Sequence, residues 1–420
     1  MIGISFNKKE FEYDAYTLVK AFYPKEDIEM YGTWEEEGPK DYEKLVSISY
    51  GDRVVIGVHT REHTLEDSAP YDEKEDRKKR KNTLKQILYK LLVQETGQTL
   101  PWGNLTGIRP VKIAMGLIEE GMTNAQAADF MRKTYFTRNE KTALAIAIAN
   151  RERDILKDID YKRGYSLYVG IPFCPSICLY CSFSSSPLEK WRDRVEDYLT
   201  ALLKELDFIS QAMKDRPLNT IYIGGGTPTT LEPDQLRRLL GYIQERFPVK
   251  DISEYTIEAG RPDSITREKL MAIREFPVTR ISVNPQTMNQ KTLEIIGRRH
   301  TVEDTVRAFE LARDCGFDNI NMDLIVGLPG EHKADVEHTL EEVKRLAPDS
   351  LTVHSLAVKR AARLNIFRDQ YQEMTFENNQ EIMDMAMKYA YEMGMGPYYL
   401  YRQKNMCGNL ENTGFAKVDK

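Results

Sequence analysis

The chain has 420 residues, 41% apolar and 30% charged, enough for two or three domains and at least one large core. Its formal charge of −6 argues against a general nucleic-acid binder, and its longest aliphatic run, ALAIAIA at 143–149, is too short to span a bilayer. The opening MIGISFNKKEFEY lacks the layout of a secretory signal, and five cysteines, three of them clustered, do not make a disulfide framework, so a reduced cytoplasm is the expected compartment.

The first hundred residues read as a small α/β domain. KLVSISY and RVVIGVH flank Gly51-Asp52 and predict a hairpin. Leu84, Ile87, Leu88, Leu91 and Leu92 then recur at a helical period. The basic run Arg77 to Lys81 reads as the solvated face of that helix, with Glu73 and Asp76 four residues before Arg77 and Arg80. LPWGNLTGIRP, 100–110, is a connection punctuated by Gly and Pro, and Trp102, Arg109 and Pro110 form either an ordered linker or a docking surface. Two or three helices fill 111–157, one of them opened by a Thr123–Gln126 capping box.

From residue 165 a new rhythm begins. SLYVG (166–170), TIYIG (220–224), YTIEA (255–259), TRISV (279–283), NINMDLIV (319–326) and SLTVHSL (350–356) read as strands. Helical stretches at 191–213, 233–246, 267–275, 302–315 and 333–346 separate them. Alternation of this kind implies parallel βαβ units with right-handed crossovers. Six units predict a partial (β/α)6 barrel, TIM-like but open along one side, with a flat doubly wound sheet as the competing architecture. GNLENTG is turn-rich, and the following GFAKVDK does not read as a closing element.

Reactive groups gather at the carboxyl ends of parallel strands, and the unusual residues of this chain fall there strand after strand. Cys174, Cys178 and Cys181 follow the first strand, and Gly224-Gly225-Gly226-Thr227 closes and follows the second. Glu258 closes the third, Gln286 follows the fourth and Asp323 lies late in the fifth. Three thiols spaced C-x3-C-x2-C suit a soft metal, either iron–sulfur or zinc. A structural zinc site wants four closed ligands, and Cys315 and Cys407 are distant in sequence. A four-iron cube on three thiolates would leave one iron open, which is the logic of a catalytic metal site. GGGTPT lacks the Gly-Lys-Ser/Thr ending of a phosphate loop, and its glycines allow close backbone approach to a ligand.

The cysteine spacing, with Tyr180 before the third cysteine, resembles the radical S-adenosylmethionine superfamily. YVGIPFC-x3-C-x-YCSF, GGGTPT, GRRHT and MDLIVGLPGE together resemble its oxygen-independent coproporphyrinogen III oxidase group. WGNLTGIRPVK and YYLYRQKNMCGNLENTG are similar to the coproporphyrinogen dehydrogenase-like HemZ branch. The resemblance implies one [4Fe-4S] cluster on Cys174, Cys178 and Cys181, whose open iron chelates adenosylmethionine, and a second adenosylmethionine near Ala357. It implies cofactor contacts at Tyr168, Tyr180, Gly224, Gly225, Gly226, Thr227, Glu258, Gln286, Arg298 and Asp323. Among these, Glu258 would hold an ammonium, Arg298 (or the adjacent Arg299) a carboxylate and Asp323 the ribose hydroxyls.

The reaction implied is conversion of two propionates of coproporphyrinogen III to vinyls, giving protoporphyrinogen IX in anaerobic haem synthesis. An electron donor such as flavodoxin or ferredoxin would serve it, with neither nucleic acid nor membrane span expected. Arg402, Gln403, Lys404 and Asn405 would meet the porphyrin carboxylates. A haem-binding chaperone of the same family, with His354 or His300 as ligand, and another radical reaction on a tetrapyrrole are the alternatives. The family's usual histidine is replaced here by Gly170. The expected division is a small α/β domain at 1–100, a helical connector at 101–160 and the barrel at 161–360. The remainder, 361–420, reads as the incomplete start of a substrate-covering region.

Overall fold

The computed structural model of the chain describes residues 1–32, 42–107, 109–371, 374–402 and 410–420. It divides into two units: Met1–Asn150 with Tyr401–Leu410, and Arg151–Leu400 with Glu411–Lys420. The expected boundary at residue 100 is therefore not where the contacts divide, because the predicted connector helices belong mostly to the first unit.

In the first unit, β1 (Ile2–Phe6), β2 (Ile28–Tyr31), β3 (Lys44–Tyr50), β4 (Arg53–Thr60) and β5 (Thr64–Pro70) form one sheet in the order β2-β1-β3-β4-β5. β3 and β4 are antiparallel and pair Tyr50 with Val54 across Gly51-Asp52, the predicted hairpin. Helices α1 (Glu12–Phe22) and α2 (Arg77–Thr96) complete the layer. Leu84, Ile87, Leu88, Leu91 and Leu92 of α2 are all buried in a core that includes Ile4, Phe6, Val46 and Ile56. The Asp76 carboxylate caps α2 by accepting from the Lys79 amide at 3.0 Å, so this acid serves the backbone rather than Arg80. Arg80 instead pairs with Glu10, and Arg77 to Lys79 are exposed.

Three further helices follow: α3 (Val111–Glu119), α4 (Asn124–Tyr135) and α5 (Asn139–Leu156). The Thr123–Gln126 capping box forms at the start of α4. Trp102 is fully buried, with Lys141 and Arg402 over its ring at 6.0 and 5.6 Å. Leu100, Trp102, Asn104 and Leu105 are buried, so this part of LPWGNLTGIRP packs into a core around the indole.

The second unit is a curled half-barrel. Its parallel strands are β6 (Tyr165–Ile171), β9 (Leu218–Gly225), β10 (Glu254–Gly260), β11 (Arg280–Val283), β12 (Ile320–Val326) and β13 (Ser350–Ser355). A two-residue pair, β7 (Phe173–Cys174) and β8 (Ser186–Pro187), brackets the cysteine loop. The helices are α6 (Leu188–Trp191), α7 (Val195–Ala212), α8 (Pro233–Arg246), α9 (Arg267–Arg274), α10 (Gln290–Ile295), α11 (Val302–Asp314), α12 (Lys333–Leu346), α13 (Arg363–Ile366) and α14 (Gln380–Glu392). The predicted helix at 191–213 is broken by a 3₁₀ turn at Arg192–Arg194; the stretches at 233–246 and 333–346 form α8 and α12 with those bounds.

Two more strands join the sheet, β14 (Gly396–Tyr401) and β15 (Asn412–Ala416), in the order β14-β15-β13-β12-β11-β10-β9-β6. β15 runs antiparallel to β13 and is buried throughout. This corrects the expectation of a turn-rich GNLENTG followed by no closing element: Asn412–Ala416 is a strand of the sheet. Asn412 and Gly414 are poor strand formers, but pairing with β13 and burial override propensity.

Alternation along these strands makes two unlike faces. Leu167, Val169, Ile221, Ile223, Ile257, Ile281, Val283, Met322, Leu324, Leu351 and Val353 share the apolar face and are buried, as helix-covered positions must be. The other face carries Tyr168, Tyr222, Glu254, Glu258, Arg280, Asn284, Asn321, Asp323, Thr352 and His354. A closed TIM barrel fills its interior with branched aliphatic side chains. This half-barrel presents a polar interior instead.

Candidate functional site

The cysteine loop is pinned to the top of the half-barrel by Leu179. Its side chain enters an apolar cluster with Leu293, Ile296, Ile325, Leu328, Leu356 and Leu364. Its amide donates to the Ile296 carbonyl, and its carbonyl accepts from Leu364, each at 2.9 Å. Cys174 and Cys178 are buried, Cys181 is half-buried, and none is in a disulfide. Burial pushes the Cys174 and Cys181 thiols above their ordinary values. Among the described residues, no three Cys, His, Asp or Glu side chains come close enough to share one metal ion.

The glycine loop lies against the cysteine loop. Gly226 and Thr227 donate their amides to the carbonyls of Ile171 and Phe173 at 2.7 and 2.8 Å. A Cβ on Gly226 would fall 2.6 Å from the Phe173 carbonyl oxygen, so only glycine fits there. The Thr227 hydroxyl points at the Cys174 sulfur, 3.7 Å away. Opposite Gly224 on the sheet sits Gly170, where an added Cβ would meet nothing closer than the Tyr168 ring at 3.6 Å.

Glu258 accepts a short hydrogen bond from the Tyr222 hydroxyl, and the Tyr222 ring stacks on Tyr168 with centroids 5.9 Å apart. Burial pushes the Glu258 carboxyl up to about 7, against the opposing pull of Tyr222. Burial would raise Asp323 as well, but the nearby His354 imidazole and a hydrogen bond from Asn321 hold it below the usual carboxylate range. Asn321 donates to Asp323 at 2.7 Å, and His354 Nε2 lies 3.9 Å from it. Gln286 is held at φ 69°, a left-handed conformation unusual outside glycine. Backbone bonds on both sides fix it there: its amide donates to the Asp323 carbonyl at 3.0 Å, and its own carbonyl accepts from Ile325 at 2.9 Å. Such over-determined strain is common at ligand sites.

Of the adjacent arginines, Arg298 turns inward and Arg299 is exposed. Arg298 donates to the Asn284 carbonyl at 2.6 Å and reaches Tyr180 Oη at 3.4 Å. Its Nε is buried without a hydrogen-bond partner. His300 is buried too, and burial together with Arg298 holds it down at about 4. Ala357 lies just past β13, half-buried.

Arg402 is outside this constellation. It is buried in the first unit, where its guanidinium donates to the Leu105 carbonyl at 2.7 Å and lies over the Trp102 ring. Gln403, Lys404 and Asn405 lie outside the described residues. Cys315 sits at the end of α11, with the Arg267 guanidinium 4.0 Å from its sulfur. Sequence reasoning missed Arg261, which is 3% exposed and directs Nη1 at the Cys178 sulfur, 3.8 Å away. Its place directly after YTIEAG was a signal, since that is again a strand end.

This donor set fits an iron–sulfur cluster beside a sulfonium nucleotide. The thiols share one loop, hydroxyl and guanidinium donors face their sulfurs, and the side-chain-free Gly224–Gly226 ledge runs alongside.

Comparison with known proteins agrees. The family model described as Radical SAM superfamily matches residues 168–343. The chain is 41% identical to the oxygen-independent coproporphyrinogen-III oxidase-like protein HemZ of Bacillus subtilis, over 90% of this chain and 78% of that protein. It is 40% identical to the haem chaperone HemW of the same organism, over 46% of this chain and 51% of that one. Among solved structures, coproporphyrinogen III oxidase (HemN) from Escherichia coli matches with 26% identity and a TM-score of 0.49, covering 61% of this chain and 56% of that chain. The chain belongs to the radical SAM superfamily, within the oxygen-independent coproporphyrinogen-III oxidase-like group that includes HemZ.

Proposed function

We propose that the chain oxidatively decarboxylates the propionates of coproporphyrinogen III to vinyls, giving protoporphyrinogen IX in haem synthesis without oxygen. The supporting observation is the polar interior face that continues from the strand-end residues into the half-barrel. There Arg280 donates to Asn321, Tyr398 and Glu254 at 3.0, 3.4 and 3.5 Å, Thr352 donates to the same Asn321 at 3.2 Å, and His354 lies beside Asp323. A lining of this kind suits a substrate carrying carboxylates. Each propionate would lose a hydrogen atom from its β-carbon, carbon dioxide and one electron. A cytoplasmic site and a flavodoxin- or ferredoxin-like electron donor belong to the same reading.

Cys174, Cys178 and Cys181 would hold the cluster, and a second adenosylmethionine would lie near Ala357. When bound, cluster and adenosylmethionine would supply one-electron cleavage of the sulfonium to a 5′-deoxyadenosyl radical. The chain's own residues do the positioning. Glu258 takes the nucleotide's ammonium, Asp323 its ribose hydroxyls, and the Gly224–Gly226 ledge admits it close to backbone. Arg298, fixed by Asn284, lends positive charge to the carboxylate side.

The match to HemW supports a second reading, a haem chaperone. His300 is buried, hydrogen-bonded to Arg298 and Thr301, which leaves His354 as the interior candidate ligand. An anaerobic assay with reconstituted protein, adenosylmethionine, reductant and coproporphyrinogen III separates the readings. Vinyl product with deoxyadenosine is expected. Deoxyadenosine without decarboxylation would mean another tetrapyrrole reaction, and tight haem binding without cofactor cleavage would mean the chaperone.

A further inference from the structure

Arg261 is placed by a turn that nothing else in the proposed chemistry requires. After Glu258 the strand ends at Gly260, whose φ of 60° reverses the chain, and Arg261 folds back toward the cysteine loop. The side chain is 4% exposed. Burying a guanidinium is costly unless its donors are met, and here they divide into two groups. Nε and Nη2 form a two-pronged pair with the Asp263 carboxylate at 2.9 and 2.7 Å. Nη1 crosses to the loop, donating to the Ser176 carbonyl at 3.1 Å, to the Ser176 hydroxyl at 2.8 Å and toward Cys178 Sγ at 3.8 Å.

The three cysteines are therefore not equivalent. Cys174 faces the neutral Thr227 hydroxyl. Cys181 faces the Phe183 amide and the Ser185 hydroxyl. Cys178 faces two buried guanidiniums, Arg261 and Arg298. A protonated thiol gains little from a buried cation, whereas a thiolate bonded to iron carries charge that a fixed N–H stabilises, more so in the cluster's reduced state. Hydrogen bonds to cluster sulfurs and nearby charge set reduction potentials.

We infer that Arg261 is a positioning residue for the cluster: it locks the Ser176–Cys178 segment and raises the cluster's reduction potential through Cys178, while Asp263 moderates that effect by neutralising part of its charge. The inference rests on the cluster that the family implies and not on the tetrapyrrole reading.

The test is an EPR-monitored redox titration of anaerobically reconstituted full-length protein, without adenosylmethionine or substrate, in wild type, Arg261→Gln and Asp263→Asn. Iron and sulfide per chain are measured alongside. The expected result is opposite displacement: a more negative midpoint in Arg261→Gln and a more positive one in Asp263→Asn, each with wild-type iron content. Should Arg261→Gln lose its cluster, Asp263→Asn decides alone, since a role confined to holding the loop would not raise its potential. Unchanged midpoints, or displacement of both variants in the same direction, would overturn the inference. So would a wild-type chain that takes up no cluster, whatever tetrapyrrole it handles. A failed decarboxylation assay alongside the opposite displacements would overturn only the proposed reaction.

Discussion

The Tyr222 hydroxyl donates to the Glu258 carboxylate, joining β9 to β10 at the level where the strands open into the cleft. The same tyrosine stacks on Tyr168, so one side chain braces two residues that we propose contact the cofactor. It also opposes the burial that pushes Glu258 up to about 7.

The first prediction is a pH dependence of adenosylmethionine binding. A Glu258 that holds an ammonium must be ionised, and its carboxyl in the free protein takes up a proton as pH falls through about 7. Affinity of the cluster-loaded protein should therefore rise with pH through that region, with a limiting slope of about tenfold per pH unit below it. Tyr222→Phe removes a bond that lowers the Glu258 value, so its profile should shift to higher pH. Glu258→Gln should bind weakly and lose this inflection. Equilibrium dialysis across the range would show it, and a flat wild-type profile would remove Glu258 from the ammonium.

Asp323 is the opposite case: His354 and Asn321 keep it ionised despite burial, so it should accept hydroxyl donors throughout the neutral range. Asp323→Ala should weaken adenosylmethionine binding by about 1–3 kcal/mol, roughly 5- to 150-fold, with iron content unchanged. An unaltered dissociation constant would exclude it as the ribose acceptor.

How much of this was legible beforehand follows from which physics each element obeys. The six parallel strands were readable because each is a short apolar run between amphipathic helices, and their carboxyl ends marked the site. The polar interior was less visible: nothing within TIYIG and TRISV marks the alternate residues until register brings Tyr222, Thr256 and Arg280 to one level. β15 escaped because Asn412 and Gly414 have turn chemistry and join a strand only by pairing with β13. Arg261 escaped because its role depends on a reversal at Gly260 and on a loop more than eighty residues earlier.

The cysteine loop makes a sharper demand. Cys174→Ala, Cys178→Ala or Cys181→Ala should each remove most iron from anaerobically reconstituted protein, since a cube on two thiolates is poorly held. Cys315→Ala should retain it, because Cys315 lies at the far end of α11. Iron and sulfide analysis decides, and normal loading in any loop variant would count against three-cysteine ligation.

Arg402 supplies the last prediction, a matter of stability. A guanidinium that served a substrate carboxylate would project into the cleft. This one is 2% exposed, donates to the carbonyls of Leu105 and Leu410 at 2.7 and 3.4 Å, and lies 5.6 Å from the centroid of the Trp102 ring. Within the first unit it ties its own segment to Trp102 and Leu105 of WGNLTG. Truncation would leave the Leu105 carbonyl unsatisfied and the indole face uncovered. Arg402→Ala should therefore destabilise the chain by about 2–4 kcal/mol, seen as a lower denaturant midpoint. Arg402→Lys should recover only part, because an ammonium cannot both reach the carbonyls and cover the ring. Adenosylmethionine affinity of the folded variants should stay at the wild-type value. A large rise in KM for a carboxylated tetrapyrrole, with stability unchanged, would return Arg402 to the substrate.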